Sequence, residues 1–236
     1  MDLAEKGKLL ADIPDFVYPP EVKASVHLGK EISAEDFSVP VPKDGVFTIN
    51  VIGVIENQAP TQHLKREMKA VGGAIAVDIK QDLAKVALVE RHQGTGEVQV
   101  GFVHGFGFDR SCAIASTVAH DSHHMIVVGT DEADMALAAN RLAEVGGGQI
   151  VVREGKTAAL VELPIAGLMS DERAEIVAEK AERVLDAFKD CGCKLNNANM
   201  QLSLLALVVI PDLRISDKGL VDVNRFEVIP VVETEV

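Results

Sequence analysis

From Gly45 onward the chain is written in short alternating runs of apolar and polar residues, the period-two signature of half-buried strands. Val46-Phe47-Thr48-Ile49-Asn50-Val51-Ile52-Gly53-Val54-Ile55 is β-branched and largely alternating, and the turn group Glu56-Asn57-Gln58-Ala59-Pro60 closes it. In Thr61 to Val71, Leu64 and Met68 stand at helical spacing. The polar residues around them fit a twisted strand, so an extended segment is expected. Beyond Gly72-Gly73, both Ala74 to Val77 and Ala84 to Arg91 read as strands. The second runs into the tip Glu90-Arg91-His92-Gln93-Gly94-Thr95-Gly96, and Val98-Gln99-Val100-Gly101-Phe102-Val103 alternates back out, which predicts a hairpin. Met125 to Val128 should be a buried strand ending at Gly129, and Gln149 to Val152 with Thr157 to Leu163 flank a second hairpin turn at Glu154-Gly155-Lys156.

Two stretches change to a helical period. Met135, Ala138, Ala139, Leu142 and Val145 form one apolar stripe, with Thr130 or Asp131 placed to cap it, Glu132 and Asp134 at its positive end, and Gly146-Gly147-Gly148 to stop it. Ser170-Asp171-Glu172 signals the start of the longest helix, whose expected core face is Val177, Ala181, Val184, Leu185 and Phe188. Its charged face, from Glu172 through Arg183, is solvated and needs no functional explanation. The run Met200 to Ile210 should be buried, but its length fits helix or strand. Gly219 to Val223 and Phe226 to Val231 suggest a turn and a closing strand. Before all this, Pro14, Pro19, Pro20, Pro40 and Pro42 punctuate an extended lead-in, within which Ser33-Ala34-Glu35-Asp36 can open a single helical turn. The expected organisation is a lead-in over 1–42 and one domain over 43–236. The expected fold class is α+β, a mostly antiparallel or mixed β-sheet with two principal helices packed on it.

Composition narrows the functional classes. With 236 residues the chain can bury a sizeable core, and 47% hydrophobic with 25% charged residues reads as globular. A formal charge of -13 argues against nucleic acid or an anionic membrane as partner, and one Tyr with no Trp leaves no stacking platform for single strands. Cys112, Cys191 and Cys193 are an odd set that suits a reducing cytoplasm. Met1-Asp2-Leu3-Ala4-Glu5 does not lead into an export signal, and Leu204 to Ile210, the longest apolar run, is too short to span a bilayer. A cytoplasmic location is expected.

The densest candidate chemistry is Ala119-His120-Asp121-Ser122-His123-His124, set between two β-prone apolar runs. Groups that ionise near neutral pH are costly to bury unpaired, so this clustering calls for a specific environment. In a helix, His120 and His124 would share a face and could share a metal. At a strand end or loop, the flanking Val and Ile are better explained, and alternation separates Asp121 and His123 from His120 and Ser122. The loop is favoured; a polar turn of hydrogen-bonded histidines is its bland version. The tip Glu90-Arg91-His92 is the second constellation. It matches no phosphate-binding fingerprint, because no helix pattern follows it. Ser122 as a hydrolytic nucleophile lacks a Gly-x-Ser-x-Gly elbow, and Asp121 adjoins it too closely to orient a base.

Six motifs in order, Val89-Glu90-Arg91-His92-Gln93-Gly94-Thr95-Gly96, Gly101-Phe102-Val103-His104-Gly105-Phe106-Gly107, Ile114-Ala115-Ser116-Thr117-Val118-Ala119-His120-Asp121-Ser122-His123, Ala139-Asn140-Arg141-Leu142, Leu163-Pro164-Ile165-Ala166-Gly167-Leu168-Met169-Ser170 and Asp217-Lys218-Gly219-Leu220-Val221-Asp222, closely resemble the C-terminal domain of bacterial-type adenine deaminase. The resemblance runs from about Glu5 to the end, and Glu5-Lys6-Gly7-Lys8-Leu9-Leu10 is similar to the segment that follows that family's barrel. One departure is His124, where many relatives carry Asn. The family belongs to the amidohydrolase superfamily, whose full-length members hydrolyse adenine to hypoxanthine and ammonia at a metal centre in an N-terminal (β/α) barrel. The implied chemistry is attack of a metal-activated hydroxide on the amidine carbon, with acid–base help for departing ammonia.

The barrel's His-x-His ligand motif has no counterpart here, so the resemblance implies the C-terminal part alone. It implies no catalytic or metal-ligating residue and no cofactor in this chain, a divalent metal (Mn, Fe or Zn) in the barrel, and an isolated chain without turnover. Glu90, Arg91, His92, His120, Asp121, Ser122 and His123 are the expected substrate- or interface-facing residues. Expected partners are an amidohydrolase barrel domain or subunit, adenine as substrate of the whole enzyme, and further copies in a homo-oligomer. The competing reading is a free-standing purine-binding or subunit-interaction module.

Overall fold

The computed structural model describes residues 4–6, 8, 9 and 16–235; Pro14 and the remainder of the expected lead-in's opening lie outside the described residues. A short antiparallel ladder (Ala4–Glu5 with Lys8–Leu9), a helical turn (Pro20–Lys23) and a 3-10 turn (Ala34–Phe37) precede the main sheet. The alternating runs then become β1 (Gly45–Val54), β2 (Thr61–Val71), β3 (Ala74–Ile75), β4 (Leu83–Val89), β5 (Val98–His104), β6 (Cys112–Ser116) and β7 (Met125–Gly129). Helix α1 (Glu132–Glu144) leads to the hairpin β8 (Gly148–Arg153) and β9 (Lys156–Glu162). Helices α2 (Ala174–Asp190) and α3 (Ala198–Leu204) follow, then β10 (Leu213–Ser216), β11 (Gly219–Asp222), β12 (Glu227–Ile229) and β13 (Val232–Glu235).

The large sheet has the order β9-β8-β6-β7-β4-β5-β1-β2-β3, with β13 also bonded to β1. Every described pairing is antiparallel except β1 with β5, so the sheet is mixed and the chain is α+β, as its pattern implies. Strands β10, β11 and β12 form a separate three-stranded sheet.

Alternation decides which layer each residue joins. On one face Ala87, Val89, Ala113, Ala115, Met125, Val127, Ile150 and Val152 pack against Met135, Ala138, Ala139 and Leu142 of α1. Their neighbours Val86, Leu88, Ile114, Ile126, Val128 and Val151 point the other way, against α2, α3 and the small sheet. A strand sandwiched like this buries side chains on both faces, each worth about 1.5–3 kcal/mol. The central strands are therefore apolar at almost every position.

The lead-in is stitched to the fold rather than laid across it. Leu28, Ile32 and Phe37 enter the α1 layer, and the Asn140 amide accepts from Ile32 N at 3.0 Å and donates to its carbonyl at 2.8 Å. Ser33 and Asp36 cap the single turn read from the sequence.

Several local expectations change. Asp131, not Thr130, caps α1, accepting from Asp134 N at 2.9 Å; Thr130 Oγ1 instead donates to the Arg110 carbonyl. Helix α2 begins at Ala174, because Ser170 Oγ accepts from Glu172 N in a separate turn ahead of it. Leu185 is 37% exposed and Ala187 is buried in its place, since the sheet-facing stripe runs through Val184 and Phe188 with Ala187 on its inner flank. The run from Met200 breaks after the short helix α3, and Met200 on the outer side of that helix and Val209 beyond it are exposed. The strand expected over Ala74 to Val77 shrinks to β3.

Candidate functional site

Strands β4 and β7 are antiparallel neighbours with Val89 opposite Met125, so the tip that follows β4 and the loop that enters β7 meet at one end of the sheet. The histidine segment is a loop, the favoured sequence reading, and all seven expected residues gather at this end. Their exposure divides them. Glu90 and Arg91 are buried, His120 and His123 are half-buried, and His92, Asp121 and Ser122 face solvent.

Glu90 shapes the tip from within. Its Oε1 accepts from His92 N at 2.5 Å and Gln93 N at 2.9 Å, and its Oε2 from the Thr95 N and Oγ1 at 3.1 and 3.2 Å. Burial acts to raise its pKa, but the bonds from Thr95, Gln93 and His92 stabilise the anion more and bring it down to about 2. The carboxylate is therefore the ionised core of the turn.

Arg91 is 1% exposed and fastens three separate segments through their backbone carbonyls. Its Nε donates to His123 O at 2.5 Å, Nη1 to Ser25 O at 3.1 Å, and Nη2 to Ala166 O at 3.2 Å. Burial lowers its pKa and the neighbouring Glu90 carboxylate opposes that shift. Gly167 makes room for the guanidinium: a Cβ there would stand 2.8 Å from Nη1, and its φ of +71° also favours glycine. Thr117 Oγ1 donates to the Gly167 carbonyl at 2.6 Å, tying the same turn to the start of the histidine loop.

The loop itself is held by His123 N donating to Ala119 O at 2.7 Å and by His120 N donating to Ser203 O of α3 at 3.1 Å. The His92 ring contacts the Ser122 carbonyl through Nε2 at 2.8 Å and lies 4.7 Å from the His124 ring, centroid to centroid. His120 and His123 approach edge to face at 5.6 Å. Burial, then the positive fields of His120 and Arg91, lower the His123 pKa; burial, then His92, lower that of His124. The Nδ1 atoms of both are buried without a hydrogen-bond partner among the described residues, which fits neutral rings.

Among the described residues no group of three or more His, Cys, Asp or Glu side chains could hold a metal ion. The donor set does not suit one: Glu90 is saturated by the turn, and the His92 Nε2 is engaged by a carbonyl.

Sequence reasoning missed Ser25, Thr117, Ala166 and Gly167. Ser25 and Ala166 act through backbone carbonyls, which leave no trace in residue type; for the others the available signals were the Ile114 to His123 motif, which holds Thr117, and the Leu163 to Ser170 motif, which holds Gly167. The Gly101 to Gly107 motif goes elsewhere. It leaves β5 at the far end of the sheet, where Gly107 N donates to Asp82 Oδ1 at 2.7 Å.

Residues 58–227 match the family model described as the adenine deaminase C-terminal domain. The chain belongs to the adenine deaminase C-terminal domain family. It is 61% identical to "Adenine deaminase 3" of Rhizobium meliloti (strain 1021) over 95% of this chain and 38% of that protein. Identity is 58% to an adenine deaminase of Roseobacter denitrificans, over 98% of this chain and 38% of the relative. It is 44% to one of Moorella thermoacetica, over 98% and 39%. The chain thus spans less than two fifths of the length of the curated relatives it matches. All seven candidate residues fall inside the matched stretch of the adenine deaminase C-terminal domain, whereas the lead-in and β1 fall before it. Among the described residues no helix is long and apolar enough to cross a membrane.

Proposed function

We propose that this chain is the C-terminal portion of an adenine deaminase that hydrolyses adenine to hypoxanthine and ammonia, and that it works in the cytoplasm beside an amidohydrolase barrel. The observation that carries the reading is its 61% identity, along 95% of its length, to a protein named adenine deaminase. A divalent metal such as manganese, iron or zinc belongs in this reading to the barrel. The described residues here offer no ligand set for it, and no reaction step is assigned to them.

The chain's own contribution is presentation. Glu90 and Arg91 set the backbone of two loops, and those loops hold His92, Asp121 and Ser122 outward toward the barrel or its active-site mouth. The whole enzyme is proposed to be a homo-oligomer.

The test has two arms. The purified chain, incubated with adenine and Mn, Fe or Zn, should release no ammonia at an enzyme-like rate. Grafted in place of the matching portion of the Rhizobium meliloti relative, it should support conversion of adenine to hypoxanthine. Turnover by the chain alone would refute the division of labour. Calorimetric binding of adenine by the chain, with no activity in the graft, would favour a free-standing purine-binding module.

A further inference from the structure

Beside the Arg91-fastened loops lies a surface concavity of about 780 Å³, lined by Phe16, Val17, Tyr18, Pro20, Lys23 and Asp171. Its apolar members Phe16 and Val17 are unusually bare, 71% and 86% exposed; Met169, outside the lining but two residues before Asp171 in sequence, is 58% exposed. Scattered apolar residues on a surface need no explanation, but a local group of large ones marks a contact site.

The group is also held in place. Val22 O accepts from Ala166 N at 2.6 Å, Lys23 Nζ pairs with Asp171 at 2.5 Å, and Ser25 O accepts from Arg91. The Phe16 and Tyr18 rings meet edge to face at 4.9 Å, with Lys23 Nζ 6.0 Å from the Tyr18 ring. Arg91 bonds both segments that carry the patch, through Ser25 and through Ala166. Aromatic and methionine side chains, rimmed by an ion pair and fixed in advance, have the anatomy of a protein interface.

The cited relatives choose the occupant: more than half the length of each lies outside the portion this chain matches, so those proteins carry a large neighbouring region. We propose that Phe16, Val17, Tyr18 and Met169 form the seat on which the N-terminal region of the full-length polypeptide docks. This rests on the reading that the chain is one part of a longer deaminase.

Hydroxyl-radical footprinting, read residue by residue by mass spectrometry, tests it on the free chain and on the graft into the Rhizobium meliloti relative. Oxidation of Phe16, Tyr18 and Met169 should fall about fivefold or more in the graft, as expected for side chains moved into an interface core. The double variant Val17→Asp/Met169→Asp should restore the oxidation of Phe16 and Tyr18 in the graft while leaving the melting temperature of the free chain unchanged. Equal oxidation of these three residues in chain and graft overturns the seat, whatever the enzymatic activity. Protection without adenine turnover supports the seat and refutes the deaminase reading, so the two fail separately.

Discussion

Two buried arginines, Arg91 and Arg214, use the same device for different ends. Each spends its guanidinium on backbone carbonyls. Arg214 takes those of Ile210, Leu204, Pro211 and Ala59, and its own burial pushes its pKa down to about 10. Three of its four acceptors lie within ten residues of it, so from β10 of the small sheet it knits one local crossing. Arg91 reaches Ser25, His123 and Ala166, which are distant from it and from one another in sequence, and one of these acceptors, His123, directly follows exposed Asp121 and Ser122. The difference teaches that a buried charge here is placed by what its carbonyl partners must carry: core in one region, a presented surface in the other.

The strongest way to break this comparison is to remove each guanidinium. Arg91→Ala and Arg214→Ala each strand several buried carbonyls and leave a cavity, and each should cost about 3 kcal/mol or more in urea unfolding. Only Arg91→Ala should also speed hydrogen exchange at the His123 amide. Equal loosening of the histidine loop in both variants would refute the distinction.

A smaller effect sharpens it. Gly167→Ala pushes a methyl group against Arg91 and demands a left-handed backbone, for about 2 kcal/mol, whereas a glycine-to-alanine change at Gly155, where a Cβ meets open space, should cost only its backbone strain of about 1 kcal/mol. Comparison of the two melting curves checks this.

Acid should separate the regions in two stages. His123 and His124 have folded pKa values below 6.5, so the unfolded chain binds their protons first. Their contribution is complete above about pH 6.5 and is lost as pH falls through their lowered values. Glu90 follows: its contribution is present above about pH 4.5 and disappears toward pH 2. Stability measured against pH should fall in that order, and Glu90→Gln should shrink the lower stage, to which Asp36 and Glu162 also contribute. The smallest effect is His92→Ala, which should change stability by no more than about 0.5 kcal/mol because the ring is exposed.

Strands, both hairpins and the α1 stripe were legible because period-two and period-3.6 patterns report directly on which face is buried. Leu185 shows where the pattern blurs: on a helix lying over a sheet, the flank positions 185 and 187 compete, and the smaller Ala187 fits against the strands. Burial on both faces also hid strand order, since β4, β6 and β7 look alike in sequence. At the candidate site, Glu90, Arg91 and the histidines drew notice through their chemistry. Glu90 turns inward onto amides of its own tip, but that Arg91 turns inward while His92 turns outward depends on carbonyls contributed from three distant segments, and side-chain identity does not encode those.

Strand β1 ends before the matched stretch 58–227 begins, yet it is bonded along both edges, to β2 on one side and to β5 and β13 on the other. The boundary suggested by kinship is therefore not a safe place to cut. A protein trimmed there would lose Ile49, Val51 and Ile52 from its interior, and the freed rims of β2 and β5 would be left to recruit whatever strand they next met.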